Sequence, residues 1–327
     1  MEEAVVRHAA GMPGVSEADL LTDGAVELRY AGPLERLHAL RVAEGVFRRL
    51  GVFLSSRNPD EMMRNLVSQV DFKAWNEEKQ GDGRFSVTVE ADPALDIRPR
   101  EFQAEVTWAL RAILRAKPAP EGRRIHIVAG AEAGWAGVSC GARPPRSPGQ
   151  GDPAALPAAV AAGMVLCAGI QPDDRVLDPL CGSGEILLER ALAGPAAALL
   201  GGDVNEAAVR AARKRLAEAS PGVCLCRWDP RRLPVNARSV DVVISCFPSG
   251  QQVGSRQVAR SLYQSLLREA CRLLRATGRA VLLTAEPEIL SELLTRQPEF
   301  SVETQRTVRN GKFRAEMFFI RPVLKLL

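Results

Sequence analysis

Two kinds of hydrophobic pattern divide the chain. Before residue 141, apolar positions alternate or recur every three to four residues, which predicts half-buried strands and amphipathic helices. After residue 155, short continuous apolar runs, such as residues 175–178 and 240–245, are separated by helical stretches. Such runs are typical of parallel strands that helices cover on both faces. The pattern therefore predicts a small α+β region followed by an α/β domain.

The individual elements follow from the same periodicity. In the first region we expect strands at residues 25–30, 85–89, 124–128 and 135–139 and helices at residues 34–50, 58–70 and 99–116. In the second we expect strands at residues 175–178, 197–203, 223–228, 240–245, 279–284, 301–308 and 314–321 and helices at residues 156–168, 185–192, 206–219, 259–274 and 289–295. Asn310 and Gly311 predict a hairpin between the last two strands. Residues 141–155 are rich in proline and glycine and predict a linker.

Composition narrows the class of protein. The 327 residues are 46% hydrophobic and 25% charged, which is typical of a globular protein. No apolar run reaches the roughly 18 residues of a membrane span, and the acidic start does not resemble a signal peptide. The seven cysteines are mostly single, which favours reduced thiols in a cytoplasmic protein. With three histidines and no Cys-x-x-Cys pair, we expect no metal site.

The net charge of +4 by itself indicates little about function, but the charged residues are unevenly distributed along the chain. Residues 98–124 carry seven lysines and arginines against three acidic residues. This local excess fits either a surface that contacts phosphates or an ordinary solvated surface.

The segment Asp178-Pro-Leu-Cys-Gly-Ser-Gly184 lies between a predicted strand and a predicted helix. Its glycines allow a tight turn and close approach of a ligand, and the helix beyond them offers free N–H groups. Asp203 ends the next strand, where an acid can accept both hydroxyls of a ribose. Asp229 follows the third strand, where a carboxylate can accept from an adenine amine. Asp203 could instead cap a helix, and Asp229 could be a turn residue.

Two ligands suit such a loop, a dinucleotide and S-adenosylmethionine (SAM). The dinucleotide fingerprint requires a third glycine at the position of Leu187. SAM is therefore favoured.

These residues resemble motif I of class I SAM-dependent methyltransferases. Together with residues 156–164, they are similar to THUMP-containing RNA guanine-N2 methyltransferases. The resemblance implies a Rossmann-like sheet in which Asp203 holds the ribose and Asp229 the adenine of SAM. It also implies a group of residues around the methionine end of SAM, namely Asp178, Leu180, Gly182, Ser183 and Gly184.

The resemblance extends over most of the chain. It implies a ferredoxin-like subdomain at residues 1–70, a THUMP-like RNA-binding domain at 71–140, a linker at 141–155 and the methyltransferase domain at 156–327. The partner implied is structured RNA, in particular tRNA. Its phosphates would be contacted by Arg98, Arg111 and Arg115.

The fourth motif of that family, Asn/Asp-Pro-Pro-Tyr/Phe or Asp-Leu-Pro-Phe-Gly, supplies the catalytic position. Here it reads Ser-Cys-Phe-Pro-Ser-Gly, so that Cys246, Phe247 and Pro248 occupy that position. A thiol is a weak acceptor for the target amine, and Ser249 cannot stack on a base as an aromatic does.

Three other functions remain open. The altered fourth motif fits a non-catalytic paralogue that binds SAM and RNA. A methyltransferase for a different substrate would have an unrelated N-terminal region. Cytosine-C5 methyltransferases use a nucleophilic cysteine, commonly in a Pro-Cys pair, and the chain contains no such pair.

Overall fold

The computed structural model describes residues 2–22, 25–32, 36–37, 40–43, 45–77, 83–140, 156–219, 222–310 and 313–323. The chain forms two units: the larger unit comprises Met1–Ala31 with Arg146–Leu327, and the smaller unit comprises Gly32–Pro145. The larger unit begins with α1 (Glu2–Ala10) and an antiparallel pair, β1 (Val15–Thr22) and β2 (Ala25–Tyr30). Of these, only the strand over residues 25–30 was predicted from the sequence pattern.

The smaller unit is an α+β structure with a five-stranded sheet. Its elements are β3 (Phe47–Leu54), α2 (Pro59–Gln69), β4 (Arg84–Ala91), α3 (Pro99–Leu114), β5 (Lys117–Pro118), β6 (Arg123–Ala129) and β7 (Ala133–Ser139), with 3-10 turns at Phe72–Glu77 and Pro93–Leu95. The strand order is β3-β7-β6-β4-β5. The apolar faces of both helices are buried in one core, with Met62 and Leu66 on α2 and Phe102, Val106 and Leu110 on α3.

The predicted helix over residues 34–50 is wrong. β3 occupies its end, and the other residues of this stretch that the structure describes form no α-helix. The pairing of β3 with β7 is irregular between Arg49 and Gly51, as at a β-bulge. Phe47 and Leu50, which stand at helical spacing in the sequence, instead lie in a strand whose partner is distant along the chain.

The larger unit continues with the elements α4 (Ala158–Cys167), β8 (Arg175–Asp178), α5 (Glu185–Leu192), β9 (Ala198–Asp203), α6 (Glu206–Ala219), β10 (Val223–Arg227), β11 (Val240–Phe247), α7 (Gly250–Val253), α8 (Arg256–Leu273), β12 (Leu274–Thr284), α9 (Pro287–Thr295), β13 (Phe300–Asn310) and β14 (Phe313–Pro322). They form a seven-stranded sheet in the order β10-β9-β8-β11-β12-β14-β13. The first five strands are parallel, and β14 runs antiparallel to both of its neighbours. The predicted α/β fold with a Rossmann-like sheet is confirmed.

Both faces of this sheet are buried. Along β11, Val242 and Ile244 join the core that contains residues of α4, α5 and α6, whereas Val243 joins the core that contains residues of α8 and α9. Because both faces are covered, the central strands carry continuous apolar runs. The chain leaves β8 towards β9 and β10 on one side and later returns to β11 on the other. The order of strands thus reverses beside β8, where ligands bind in such sheets.

The units differ from the predicted domain bounds. β3 pairs with β7 in one sheet, so that no boundary near residue 70 separates two structures, and residues 1–31 group with the larger unit. The predicted linker at residues 141–155 lies outside the described residues. In the part of the chain that the structure describes, no helix is long and apolar enough to cross a membrane.

Candidate functional site

The loop between β8 and α5 has the backbone that its glycines predict. Gly182 has φ +51° and Gly184 has φ +81°, in the region that favours glycine. A Cβ on Gly184 would lie 3.1 Å from side-chain atoms of both Ala212 and Leu216, so this glycine also allows close packing against α6. A Cβ on Gly182 would meet nothing within 4 Å. The loop is therefore tight on one side and open on the other.

Asp178 lies at the end of β8 and is 1% exposed. Its Oδ1 accepts hydrogen bonds from the Ser245 hydroxyl at 2.8 Å and from the Leu180 N–H at 3.2 Å. Burial raises the pKa of this carboxyl to about 7, although the two hydrogen bonds favour its charged form. The carboxyl thus titrates near neutral pH.

Asp203 lies at the end of β9, next to β8 in the sheet. Its Oδ2 accepts from the Gly182 N–H at 3.2 Å, and its Oδ1 accepts from the Asn205 N–H at 2.9 Å. The structure therefore joins two predicted site residues, Asp203 and Gly182, by a direct hydrogen bond. The carboxylate holds the loop, and each of its oxygens keeps a second lone pair for a ligand.

An ion pair that the sequence analysis missed fixes the other side of the loop. Arg215 on α6 binds the carboxylate of Glu185, the first residue of α5, and also donates to the Ser183 hydroxyl at 3.3 Å. Both charged side chains are only 9% exposed. Thirty residues separate the partners, so that no local pattern relates them. The contact fixes the first turn of α5 to α6.

The third predicted acid, Asp229, is exposed after β10. Its Oδ1 accepts from both the backbone and the side chain of Arg231, and these bonds lower the pKa of its carboxyl. The preceding Trp228 is buried, and its indole N–H donates to the Pro179 carbonyl at 3.0 Å. The structure thus links the region after β10 to the loop through Trp228, a residue that the sequence analysis overlooked.

The altered fourth motif ends β11, which pairs with β8. Cys246 is half-buried, and burial, followed by the charge on Asp178, raises the pKa of its thiol to about 12. The thiol is therefore neutral at physiological pH. This state argues against a nucleophilic role, because the thiolate is the nucleophile.

The ring of Phe247 lies in the core. The residue is 3% exposed, and its ring packs 4.8 Å from that of Tyr263. Pro248 is half-buried, and its carbonyl accepts from the Tyr263 hydroxyl at 2.8 Å. The Phe247 ring is therefore unavailable to stack on a base, because long-range packing holds it in the core.

The three predicted RNA-binding arginines lie at opposite ends of α3. Arg98 precedes the helix and pairs with Glu101 at 3.0 Å. Arg111 lies in its last turn, and Arg115 follows it. At 1.5 Å per residue, about 20 Å separates the two ends. Arg98 is thus remote from the other two arginines.

Among the residues that the structure describes, no group of three or more His, Cys, Asp or Glu side chains could hold a metal ion.

Comparisons with known proteins agree with this geometry. A family described as UPF0020, RMKL-like, methyltransferase domain matches residues 149–316, just over half of the chain. A tRNA (guanine(6)-N2)-methyltransferase of Thermus thermophilus is 30% identical over 252 residues, which cover 74% of each protein. The bovine tRNA (guanine(6)-N(2))-methyltransferase THUMP3 is 31% identical over 157 residues. That match covers 44% of this chain and only 31% of the bovine protein.

The crystal structure of TrmN from Thermus thermophilus has the same fold. The two structures superpose with a TM-score of 0.76 over 98% of this chain and 96% of the other, at 24% sequence identity. The matched domain, the relative of similar length and the strand–glycine loop–helix site together give one conclusion: the chain belongs to the RMKL-like methyltransferase family and has the fold of the class I SAM-dependent methyltransferases.

Proposed function

We propose that this protein is a SAM-dependent RNA methyltransferase that acts on the exocyclic N2 amine of guanine in tRNA. The observation that carries the proposal is the loop after β8, open at Gly182 and bonded to the acid at the end of the next strand. The names of the Thermus and bovine relatives support guanine as the base and position 6 of tRNA as the site. The cysteine pattern and the tRNA-modifying relatives support a cytoplasmic location.

The residues of the loop suit SAM. Asp203 offers oxygen lone pairs to the two ribose hydroxyls, and Asp229 offers the same to an adenine amine. Asp178, Leu180, Gly182, Ser183 and Gly184 are the residues proposed to surround the methionine end. SAM supplies a methyl group on a sulfonium that is already activated. The protein's contribution is to bind, align and exclude water.

The residues that would bind the target amine are less suited to their role than the residues that would bind SAM. The Cys246 thiol is neutral and a weak acceptor, and the Phe247 ring is buried. These residues therefore offer the target amine little that would orient its lone pair. We expect methyl transfer to be slow compared with that of an enzyme that has Asn or Asp at this position.

The smaller unit is the proposed RNA-binding part. Its order of strand, helix and strand from β4 to β7 resembles a THUMP domain, and the relative named THUMP3 supports that likeness. Arg98, Arg111 and Arg115 are exposed and can contact phosphates.

A second candidate function is a non-catalytic protein that binds SAM and RNA. The neutral thiol at position 246 favours it. Incubation of the purified chain with an unmodified tRNA transcript and isotopically labelled SAM separates the two functions. Labelled N2-methylguanosine in the nucleoside digest supports the enzyme. SAM binding by calorimetry without any labelled nucleoside supports the alternative.

A further inference from the structure

One tryptophan is placed unlike the other three. Trp75, Trp135 and Trp228 are buried, whereas Trp108, in the middle of α3, is 78% exposed. The opposite face of α3 supplies the core residues, including Val106 and Leu110. Burial of α3 therefore does not require Trp108, and a polar residue would serve the helix equally well.

Basic side chains follow Trp108 towards the end of the helix. Arg111 lies three positions further on and shares its face, and Arg115 follows the end of the helix directly. Both are exposed, and the structure gives neither guanidinium group an ion pair or hydrogen bond with another described residue. Two acids share this face: Glu101 pairs with Arg98, and Glu105 lies three positions before Trp108. The half of the face after Trp108 thus combines a bare indole with available guanidinium groups.

Arg115 also has an unusual backbone. It follows α3 with φ +54° and ψ +36°, a left-handed conformation in which helices usually place glycine. A side chain here costs free energy that glycine would not. The left-handed backbone ends the helix at this point and leaves the Arg115 side chain exposed beyond it.

We propose that Trp108 is a stacking platform for an unpaired base of RNA and that Arg111 and Arg115 contact the flanking phosphates. The inference rests on the proposed function, since it names how that RNA is held. An indole stacks on the face of any base, and guanidinium groups bind phosphate oxygens. Bases inside a duplex are already stacked on both faces, so this surface favours unpaired nucleotides over the interior of a duplex.

Binding to two labelled probes tests the proposal with the full chain. One is a single-stranded RNA of about 12 nucleotides, and the other is a blunt duplex of the same sequence. Trp108→Ala should weaken binding of the single strand about 5- to 150-fold, whereas Trp108→Phe retains a ring and should lose only a few-fold. Binding of the duplex should hardly change. Val67→Ala, at an exposed apolar residue of α2 in the same unit, is the matched control and should have no effect.

Salt dependence distinguishes stacking from charge. Trp108→Ala removes no charge, so its plot of log K against log salt should keep the wild-type slope. Arg115→Gly should flatten the slope by about 0.7 for a single strand. It should also leave the thermal midpoint unchanged or higher, because glycine relieves the left-handed backbone. A lower slope with undiminished stability therefore cannot arise from misfolding.

Several results would overturn the inference. One is that Trp108→Ala binds the single strand as tightly as the wild type does. Another is that Trp108→Ala loses as much affinity for the duplex as for the single strand. A third is that the wild type is a dimer and Trp108→Ala is a monomer. Methyl transfer to tRNA, measured in parallel, separates this inference from the proposed function. If the wild type transfers methyl groups and Trp108→Ala binds normally, only the inference fails. If the wild type transfers none while Trp108→Ala still loses affinity, the proposed function fails and the platform stands.

Discussion

The Asp178 carboxyl group is almost completely buried. Its oxygen accepts two hydrogen bonds, yet burial keeps its pKa at about 7 instead of the usual 3.8. Between those values the native protein binds a proton that the unfolded chain releases. The contribution of Asp178 to the free energy of unfolding therefore falls as pH rises from about 4 to about 7, and its penalty is complete above pH 7.

Asp178→Asn is expected to remove this pH dependence. The amide oxygen can still accept from Ser245 and Leu180, and no charge is buried at any pH. Urea unfolding from pH 4 to pH 8 should show the variant gaining stability relative to wild type as pH rises. The two proteins are compared at each pH, because His126, whose pKa burial lowers to about 4, acts in the opposite direction. A constant difference between them would contradict the assignment.

Cys246 is the residue at which the proposed enzyme departs most from the fourth motif of the family. Cys246→Asn with Ser249→Phe supplies an oxygen acceptor and a ring, without adding a second carboxylate beside Asp178. The Ser249 N–H, which donates to Gln252, survives this change. A recovered acceptor contributes about 1–3 kcal/mol, or roughly tenfold to two-hundredfold in rate. Single-turnover assays on unmodified tRNA should detect the increase. Loss of wild-type activity in Cys246→Ser would instead reveal a positive role for the thiol.

At the scale of elements, three neighbours of β8 and α5 hold the loop between them. Asp203 at the end of β9 accepts from Gly182, Arg215 on α6 binds Glu185, and Ser245 on β11 donates to Asp178. The parallel sheet brings these groups to one edge because the carboxyl ends of its strands meet there. The loop is thus positioned by contacts within the protein.

Asp203→Ala should weaken SAM binding about 30- to 1000-fold, since two hydroxyl contacts of roughly 1–2 kcal/mol each are lost. Asp203→Asn keeps the size and one acceptor oxygen and should lose less. Asp229→Ala is the comparison at the next strand end, where the exposed carboxylate is already held by Arg231 and the loss should be smaller. Calorimetry on ligand-stripped protein measures all three. Equal affinity of wild type and Asp203→Ala would refute the site.

At the scale of the whole molecule, the proposal assigns a different role to each of the two units. In the proposed function, the larger unit would bind the methyl donor and the smaller unit would bind the RNA. Alanine at Arg111 and Arg115 together should lower the salt slope of tRNA binding by about 0.7–0.9 per arginine. Arg98→Ala should lower it less, because Glu101 partly neutralises that arginine. Filter binding over a range of salt concentrations checks both. Equal slopes for all variants would mean that this surface is merely solvated.

The sequence pattern was most successful where local rules decide the structure. Continuous apolar runs separated by helices gave the order of strands and helices in the larger unit. The same reasoning failed at β3, because Phe47 and Leu50 stand three positions apart as on a helix face, whereas pairing with β7 makes this segment a strand. The division near residue 70 failed because β3 pairs with β7, almost 90 residues further along the chain.

What the sequence by itself determined is the cofactor loop. A strand, two glycines with positive φ, a helix and an acid at the next strand end all lie within the 29 residues from Arg175 to Asp203. Only the tertiary structure decided which side chains complete or leave the site. Arg215 joins Glu185, Ser245 joins Asp178, Phe247 turns into the core and Trp108 stays in solvent. The reason is physical: backbone conformation is set by neighbours in sequence, whereas burial and pairing depend on which distant elements pack together.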